Sequence, residues 1–208
     1  MGTTYTLYFS PGACSRVAMT ALEAANAVYE ARLVRLGEGE QLREPFLLQN
    51  PKGKVPVLVT AEGVLTELPA IAQYLDAKFP DAGLLSHGSD VDRATSLAWM
   101  AWCASTLHPA LYRIRMPHRI HPDAAQHSAI RQAAAAELSA QLQVACLPLS
   151  KGDWLMGPQW CLADAYLYWV IERALASNAP VVLDSAIQAW RERCADWPAW
   201  LRAIQREA

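Results

Sequence analysis

A stretch rich in proline, glycine, serine and aspartate, FPDAGLLSHGSD at residues 79–90, separates two parts of the chain that differ in their periodicity. Before it, short β-branched and aromatic runs alternate with helical segments, whereas after it the apolar residues recur only at helical spacing. This change predicts two domains. We expect an α/β domain over residues 1–80 and an all-α domain over residues 90–208.

The first 80 residues predict a small mixed sheet of four strands with helices packed on it. The order is strand-helix-strand, then a short helix, then strand-strand-helix, which is expected to form a domain by itself. The strands are expected at 4–9, 28–36, 55–59 and near 64–65, and the helices at 14–25, 42–49 and 66–79.

The remainder of the chain shows no strand pattern and predicts four helical segments. These are residues 91–115, 124–147, 162–176 and 184–207, with breaks expected at Pro117, Pro122, Pro148 and the loop 150–159. Proline interrupts a helix because it lacks the N–H donor and clashes with the preceding turn.

Charge and hydropathy exclude several classes of partner. With 18 basic and 20 acidic residues the net charge is -2, and no basic stripe suited to nucleic acid is present. The chain has neither a signal-peptide pattern nor an apolar run near the ~20 residues that span a bilayer. We therefore expect a soluble, cytoplasmic protein without a nucleic-acid or membrane partner.

The cysteines and histidines predict neither a disulfide framework nor a metal site. The five cysteines are odd in number and widely spaced, which is typical of reduced thiols. His118, His121 and His127 lie near one another without a carboxylate or thiol at ligand spacing, so no metal is expected there.

Cys14 stands where the first strand ends and the first helix begins, in the stretch SPGACS at residues 10–15. The N–H groups and dipole of a helix N-terminus stabilise a thiolate, and Arg16 adds a cation, so a lowered thiol pKa is expected. The alternative is an ordinary small residue packed beneath the strand. This segment alone favours the alternative.

Two further segments add features suited to binding. Val55 precedes Pro56 at the start of a strand, where proline belongs at an edge, and a cis bond there would expose the Val55 backbone to an extended peptide. Thr66 suits an N-cap, with Glu67 and Pro69 in the first turn, so this helix N-terminus presents N–H groups to a carboxylate. The alternative is a well-capped helix that binds nothing.

Four motifs follow one another along the chain: SPGACS, NPKGKVPVL, LTExxAIxQYL and LADAYL. In this order and spacing they resemble the glutathione transferase superfamily, most closely its bacterial beta-class-like members, over nearly the whole chain. The resemblance implies a thioredoxin-like domain that binds glutathione as co-substrate and a helical domain that forms the second-substrate pocket. It also implies a homodimer and a role in detoxification.

The resemblance assigns roles to individual residues. Cys14 and Ser15 would face the glutathione sulfur, and His108 in the first long helix of the second domain would be catalytic with them. Val55, before a cis-Pro56, would pair with the cysteinyl backbone of glutathione. The expected glutathione-binding residues are Lys54, Val55, Pro56, Glu67 and Leu68, with Glu67 and the Leu68 N–H at the γ-glutamyl end.

Three aromatic residues are expected to line the second-substrate pocket: Tyr112, Tyr166 and Trp169. The alternative is that the same residues pack inside the helical domain, which aromatic residues at helical spacing usually do. His108 likewise has an alternative as a hydrogen-bonded core residue, and Pro109 beside it is expected to bend or end the helix.

Two positions depart from the family pattern. Leu68 stands where Ser or Gly is common, so only a backbone contact to the γ-glutamyl carboxylate is expected. Cys161 stands where Ser or Thr usually caps the helix that contains Asp164, and a thiol is a weak acceptor, so this cap is expected to be poorer by ~1 kcal/mol.

Three functions are consistent with these features. The first is a glutathione transferase that activates the glutathione thiol for conjugation to a small hydrophobic electrophile. The second is a thiol-disulfide oxidoreductase or reductive dehalogenase in which Cys14 itself attacks and glutathione resolves the mixed disulfide. The third is a non-catalytic binding or regulatory protein of the same fold.

Overall fold

The computed structural model describes residues 5–86 and 88–208, which form two compact units. The first unit runs up to Leu85 and is completed by Asp196–Ala208, and the second is Ser86–Ala195. In chain order the elements are β1 (Tyr5–Phe9), α1 (Ser15–Ala24), β2 (Tyr29–Leu33), α2 (Phe46–Gln49), β3 (Val57–Thr60), β4 (Gly63–Thr66), α3 (Leu68–Lys78), α4 (Asp90–Trp102), α5 (His108–Arg115), α6 (His127–Lys151), α7 (Leu162–Leu175), α8 (Ser185–Ala195) and α9 (Pro198–Glu207).

The first unit is built on a mixed sheet of order β2-β1-β3-β4. β1 runs parallel to β2, whereas β3 is antiparallel to both β1 and β4. Alternate residues of β1, namely Tyr5, Leu7 and Phe9, are buried, and Leu7 pairs with the equally buried Leu58. The predicted four-stranded mixed sheet is confirmed. Thr4, in the first predicted strand, and His87, in the predicted interdomain stretch, lie outside the described residues.

Helices α1 and α3 pack on each other and bury apolar faces in this unit. Val17 and Leu22 of α1 and Ile71 and Leu75 of α3 are fully buried. Each such side chain contributes about 1.5–3 kcal/mol by leaving water, which explains why apolar residues at helical spacing identified both helices.

The final helix belongs to the first unit, which differs from the expected domain of residues 90–208. α9 packs along α1, with Trp200 buried. Glu207 accepts hydrogen bonds from the Gly12 N–H at 3.0 Å and from Arg16 Nε at 3.0 Å. Arg202 Nε donates to Glu23 at 3.3 Å. These contacts join residues almost 200 positions apart, so no local pattern in the sequence indicates them.

The named elements of the second unit are all helices, as predicted. Helix α7 lies at its centre, since every residue from Leu162 to Ile171 is buried. The buried Asp164 carboxylate accepts hydrogen bonds from Leu155 N–H at 3.0 Å, Cys161 N–H at 2.9 Å and Trp190 Nε1 at 2.9 Å. Burial raises its pKa. One carboxylate thus fixes the loop before α7 and joins it to α8.

Two prolines behave differently from one another. Pro148 lies inside α6, so the break predicted there is wrong. The carbonyl that loses its N–H partner belongs to Val144, an exposed residue, so the missing hydrogen bond lies on the solvent side of α6. Pro198 does break the predicted helix 184–207, because it holds Trp197 in an extended conformation with ψ 121°.

None of the helices in the described ranges is long and apolar enough to cross a membrane.

Candidate functional site

The loop that joins β1 to α1 is held in a fixed conformation by two serines. Ser15 Oγ accepts from the Ser10 N–H at 3.1 Å and donates to the Ser10 carbonyl at 3.3 Å. Within the loop, Ala13 N–H donates to the Ser10 carbonyl at 3.0 Å, and Gly12 adopts a left-handed φ of 69°. The Ser15 hydroxyl therefore positions the loop. Cys14, the residue before Ser15, is the N-cap residue of α1.

The Cys14 thiol points across to the start of β3, where its Sγ donates to the Val55 carbonyl at 3.5 Å. Burial, with a smaller contribution from the negative charge of Glu67, raises the pKa of this thiol to about 12. The N–H groups of Cys14 and Ser15 and the Lys54 ammonium lower it, but by less. The expected lowering of the pKa is wrong, because loss of solvation outweighs the helix N-terminus. Cys14 is a neutral hydrogen-bond donor at pH 7.

The turn before β3 is built by Asn50. Its side-chain amide donates to the Lys54 carbonyl at 2.7 Å, and its Oδ1 accepts from the Lys52 N–H at 3.2 Å. The following Val55–Pro56 peptide bond is cis, and Val55 is buried. NPKGKVPVL is thus a turn followed by a strand, as the sequence predicts.

Glu67, not Thr66, occupies the N-cap position of α3. Thr66 is the last residue of β4 and pairs with Val57, so the expected Thr66 cap is wrong. Glu67 adopts φ 71°, and Lys52 Nζ donates to its carboxylate at 2.6 Å and to Thr66 Oγ1 at 2.8 Å. Lys52 is a site neighbour that the sequence interpretation missed, although it lies within a motif that was recognised.

These segments meet at one edge of the sheet. The Cys14 loop follows β1, Val55 precedes β3, and Glu67 follows β4, which pairs with β3. The contact of Cys14 with Val55, and the influence of Lys54 and Glu67 on its thiol, place all four residues within one small region. This edge therefore carries the Cys14 thiol, the Val55 backbone just before β3 and the Lys54 ammonium. It also carries the N-terminus of α3, whose first residue is Leu68.

His108 lies in the helical unit, immediately after a wide turn of π-helix over Cys103–Leu107. The regular α-helix is interrupted before Pro109, as expected: it gives way to the π-helical turn and resumes as α5 with Pro109 in its first turn. His108 Nδ1 lies 2.8 Å from the Tyr166 hydroxyl, and its ring centroid lies 4.7 Å from that of Trp169.

The three expected pocket residues differ in exposure. Tyr166 and Trp169 are buried, with 2% and 3% of their surface exposed, whereas Tyr112 is 39% exposed. The rings of Tyr166 and Trp169 contact each other as well as His108. The structure therefore brings two of the three together with the histidine in one aromatic cluster.

A parallel pair β1–β2 extended by antiparallel β3 and β4, with a cysteine-containing loop before α1, defines a thioredoxin-like domain, here followed by a helical unit. The family model for the glutathione S-transferase N-terminal domain matches residues 3–77. Glutathione S-transferase GstA of Escherichia coli O157:H7 is 30% identical over 97% of this chain and 98% of its own. The chain belongs to the glutathione S-transferase family.

Solved structures agree with this assignment. A sphingomonad glutathione S-transferase complexed with glutathione has a TM-score of 0.83 and is 30% identical, over 97% of this chain and 98% of the other. The bacterial beta-class glutathione S-transferase of Sphingomonas chungbukensis has a TM-score of 0.82 at 25% identity, over 98% of each chain. The resemblance to bacterial beta-class members is thereby confirmed.

Proposed function

We propose that this protein is a glutathione transferase in which the neutral Cys14 thiol donates a hydrogen bond to the glutathione thiolate. The observation that carries the proposal is the Cys14 thiol itself, which has a pKa of about 12 and already donates to the Val55 carbonyl. A donor of this kind stabilises a neighbouring anion without ionising.

The remaining groups at the sheet edge suit the tripeptide backbone. Val55, before Pro56, pairs its main chain with the cysteinyl residue of glutathione, as an added strand would. Glu67 holds the γ-glutamyl ammonium, and the N–H of Leu68, as first residue of α3, binds its carboxylate. Lys54 supplies a positive charge toward a ligand carboxylate.

The reaction follows from this arrangement. The glutathione thiol loses its proton to solvent, and Cys14 Sγ–H and the Ser15 N–H stabilise the thiolate. The sulfur attacks an electrophilic carbon, a C–S bond forms, and the leaving group departs with its electron pair. His108 as a catalytic residue and the exposed Tyr112 as apolar surface for the electrophile remain part of the proposal, whereas the buried Tyr166 and Trp169 orient His108.

The high pKa opposes the second function, in which Cys14 attacks a disulfide. The thiolate is the nucleophile, and at pH 7 a thiol of pKa about 12 is almost wholly protonated.

We also infer a cytoplasmic homodimer that acts in detoxification. This inference is supported by the family and by the five cysteines, all of which are free thiols.

Three variants test the proposal, by calorimetric titration with glutathione and by conjugation of glutathione to 1-chloro-2,4-dinitrobenzene. Cys14→Ala removes the donor, and conjugation is expected to fall by about 10- to 100-fold, the value of one hydrogen bond to a charge. Cys14→Ser keeps a donor and is expected to retain most of the activity. Cys146→Ala, on α6, is the control and should match the parent protein.

The outcomes separate the three functions. Absence of glutathione binding at millimolar concentration would exclude both enzymatic functions. If conjugation activity falls equally in Cys14→Ala and Cys14→Ser while only the parent protein reduces a disulfide, that combination of results would favour Cys14 as the nucleophile. Unchanged conjugation in Cys14→Ala would exclude the donor role.

A further inference from the structure

Lys52 links the end of β4 to the beginning of α3. Its ammonium donates to Thr66 Oγ1 at 2.8 Å and to Glu67 Oε1 at 2.6 Å. Both acceptor residues are held by the fold, because Thr66 pairs with Val57 in the sheet and Glu67 is the N-cap residue of α3. The main chain of Lys52 is fixed as well, since its N–H donates to Asn50 Oδ1 at 3.2 Å. The ammonium is therefore positioned from both ends, beside the N-terminus of α3.

These contacts leave one donor and one acceptor available to a ligand. An ammonium carries three N–H donors, of which Lys52 uses two, and the Glu67 carboxylate keeps its second oxygen, Oε2. In the part of the chain that the structure describes, neither charged group has a further hydrogen bond or ion pair. The two side chains are 49% and 62% exposed, so a ligand reaches both from solvent.

The N-terminus of α3 offers few donors of its own to a carboxylate. Leu68 is the first residue of the helix and presents its N–H, but Pro69, which follows it, has none. The Leu68 side chain is only 4% exposed and carries no hydroxyl, whereas Ser or Gly is common at this position in the family. A carboxylate accepts hydrogen bonds at both oxygens, and Lys52 is placed to supply the second donor.

The charges of Lys52 and Glu67 also select the kind of ligand. Together the two side chains carry no net charge but present one charge of each sign. Such a pair complements a group that carries an ammonium and a carboxylate on one carbon, as the γ-glutamyl end of glutathione does. Glu67 without Lys52 would favour a cation whether or not the ligand also carried a carboxylate.

We propose that Lys52 determines specificity for the γ-glutamyl end of glutathione, by donating its third N–H to the α-carboxylate while Glu67 binds the α-ammonium. The inference rests on the proposed transferase function and identifies what selects its thiol substrate, which is a zwitterionic amino-acid end rather than a cation alone. Lys52 thereby takes the place of the hydroxyl that is absent at Leu68.

Two thiol substrates that differ only in the α-carboxylate test the proposal. Glutathione and 4-aminobutanoyl-cysteinylglycine share the ammonium and the thiol, and each is conjugated to 1-chloro-2,4-dinitrobenzene with chloride as the leaving group. In Lys52→Met the ratio of kcat/KM for glutathione to that for the analogue is expected to fall about fivefold, through KM, which corresponds to about 1 kcal/mol. Lys52→Arg keeps a charged donor and should retain most of the ratio.

Lys78→Met is the matched control, because Lys78 forms an exposed ion pair with Glu62 and ends α3, about 15 Å from Leu68. Its ratio should equal that of the parent protein. If Lys52 only held Glu67 in place, both thiols would be weakened alike, since both carry the ammonium, and the ratio would not change. An unchanged ratio in Lys52→Met, or an equal fall in Lys78→Met, would overturn the proposal. Circular dichroism of each variant establishes that it is folded.

Binding without turnover separates this inference from the proposed function. In calorimetric titrations the parent protein should bind S-methylglutathione more tightly than S-methylated 4-aminobutanoyl-cysteinylglycine, and this preference should be lost in Lys52→Met and retained in Lys78→Met. If the parent protein conjugates glutathione without any such preference, the role of Lys52 is wrong and the transferase function stands. If the preference is present and lost as described but no conjugation occurs, the transferase function is wrong and the role of Lys52 in binding stands.

Discussion

Cys14 shows how the surroundings of a residue decide its chemistry. The sequence places it correctly at a helix N-terminus, where a thiolate is favoured. The structure places the same sulfur in a half-buried position against the Val55 carbonyl, where loss of solvation favours the neutral thiol. Burial wins because few polar groups replace the water that a thiolate would need.

The first prediction concerns the reactivity of this thiol. In the ligand-free protein, alkylation of Cys14 by iodoacetamide should be slow at pH 7 and rise about tenfold per pH unit up to pH 9.5. Below a pKa of about 12 the thiolate fraction increases in proportion to hydroxide concentration. Mass spectrometry of the peptide that contains Cys14 measures the rate at each pH.

Glutathione alkylated under the same conditions is the reference, since its ordinary thiol approaches a plateau near pH 9. Circular dichroism at each pH establishes that the protein is still folded. A Cys14 rate that levels off below pH 9 would contradict the high pKa and return Cys14 to the role of nucleophile.

At the scale of the element, the caps of α3 and α7 depart from their expected chemistry in different ways. The N-cap residue of α3 is Glu67 rather than the expected Thr66, because Thr66 is held in the sheet by pairing with Val57. At α7 the cap is at the expected residue. Cys161 and Asp164 form a reciprocal capping box, in which the Cys161 sulfur takes the place of a hydroxyl oxygen.

The second prediction follows from this sulfur. Cys161→Ser should raise the melting temperature by roughly 2–4 °C, because a hydroxyl oxygen accepts from the Asp164 N–H more strongly than a thiol and the gain is about 1 kcal/mol. Differential scanning fluorimetry measures the change.

Cys103→Ser provides the comparison. Cys103 is also fully buried, but it lies at the C-terminus of α4, where the π-helical turn begins, and not at a helix N-terminus with N–H groups to accept from. There the new hydroxyl replaces apolar surface without gaining a backbone donor, so its melting temperature should fall. An unchanged or lower value for Cys161→Ser would count against the capping account.

At the scale of the whole molecule, the last helix, α9, belongs to the first unit although it follows the helical unit in the sequence. Glu207 lies one residue before the C-terminus, its side chain is 4% exposed, and it binds both the Gly12 N–H and Arg16. Since Gly12 belongs to the loop that carries Cys14, the last turn of α9 helps to hold the candidate site.

The third prediction tests this tie. Glu207→Ala should lower the free energy of unfolding by about 2 kcal/mol, because it leaves the half-buried Arg16 guanidinium and the Gly12 N–H without this acceptor. Thermal and urea unfolding followed by circular dichroism measure the loss. Glu207→Gln keeps an acceptor for the Gly12 N–H and should lie between Glu207→Ala and the parent protein.

Glu192→Ala serves as the control for helix-surface substitutions. Glu192 is an exposed acidic residue of α8 and should change the stability by less than about 0.5 kcal/mol. Equal stability of Glu207→Ala and the parent protein would show that the contacts of α9 with the Cys14 loop do not contribute to the fold.

The sequence alone determined the kinds of elements, the four strands and their approximate places, and the motifs of the glutathione S-transferase family. Such features depend on residues a few positions apart, whose spacing fixes which face of a helix or strand is buried. The resemblance to the family grouped residues 10–15, 50–58 and 65–75 as parts of one site, and the structure brings these segments to one edge of the sheet.

Only the tertiary structure decided the protonation state of Cys14, the cap at Glu67 and the place of α9 in the first unit. Each depends on groups that are distant in sequence and near in space. Solvation and charge interactions are set by everything that surrounds an atom, so a local pattern identifies the residue but does not fix its chemical state.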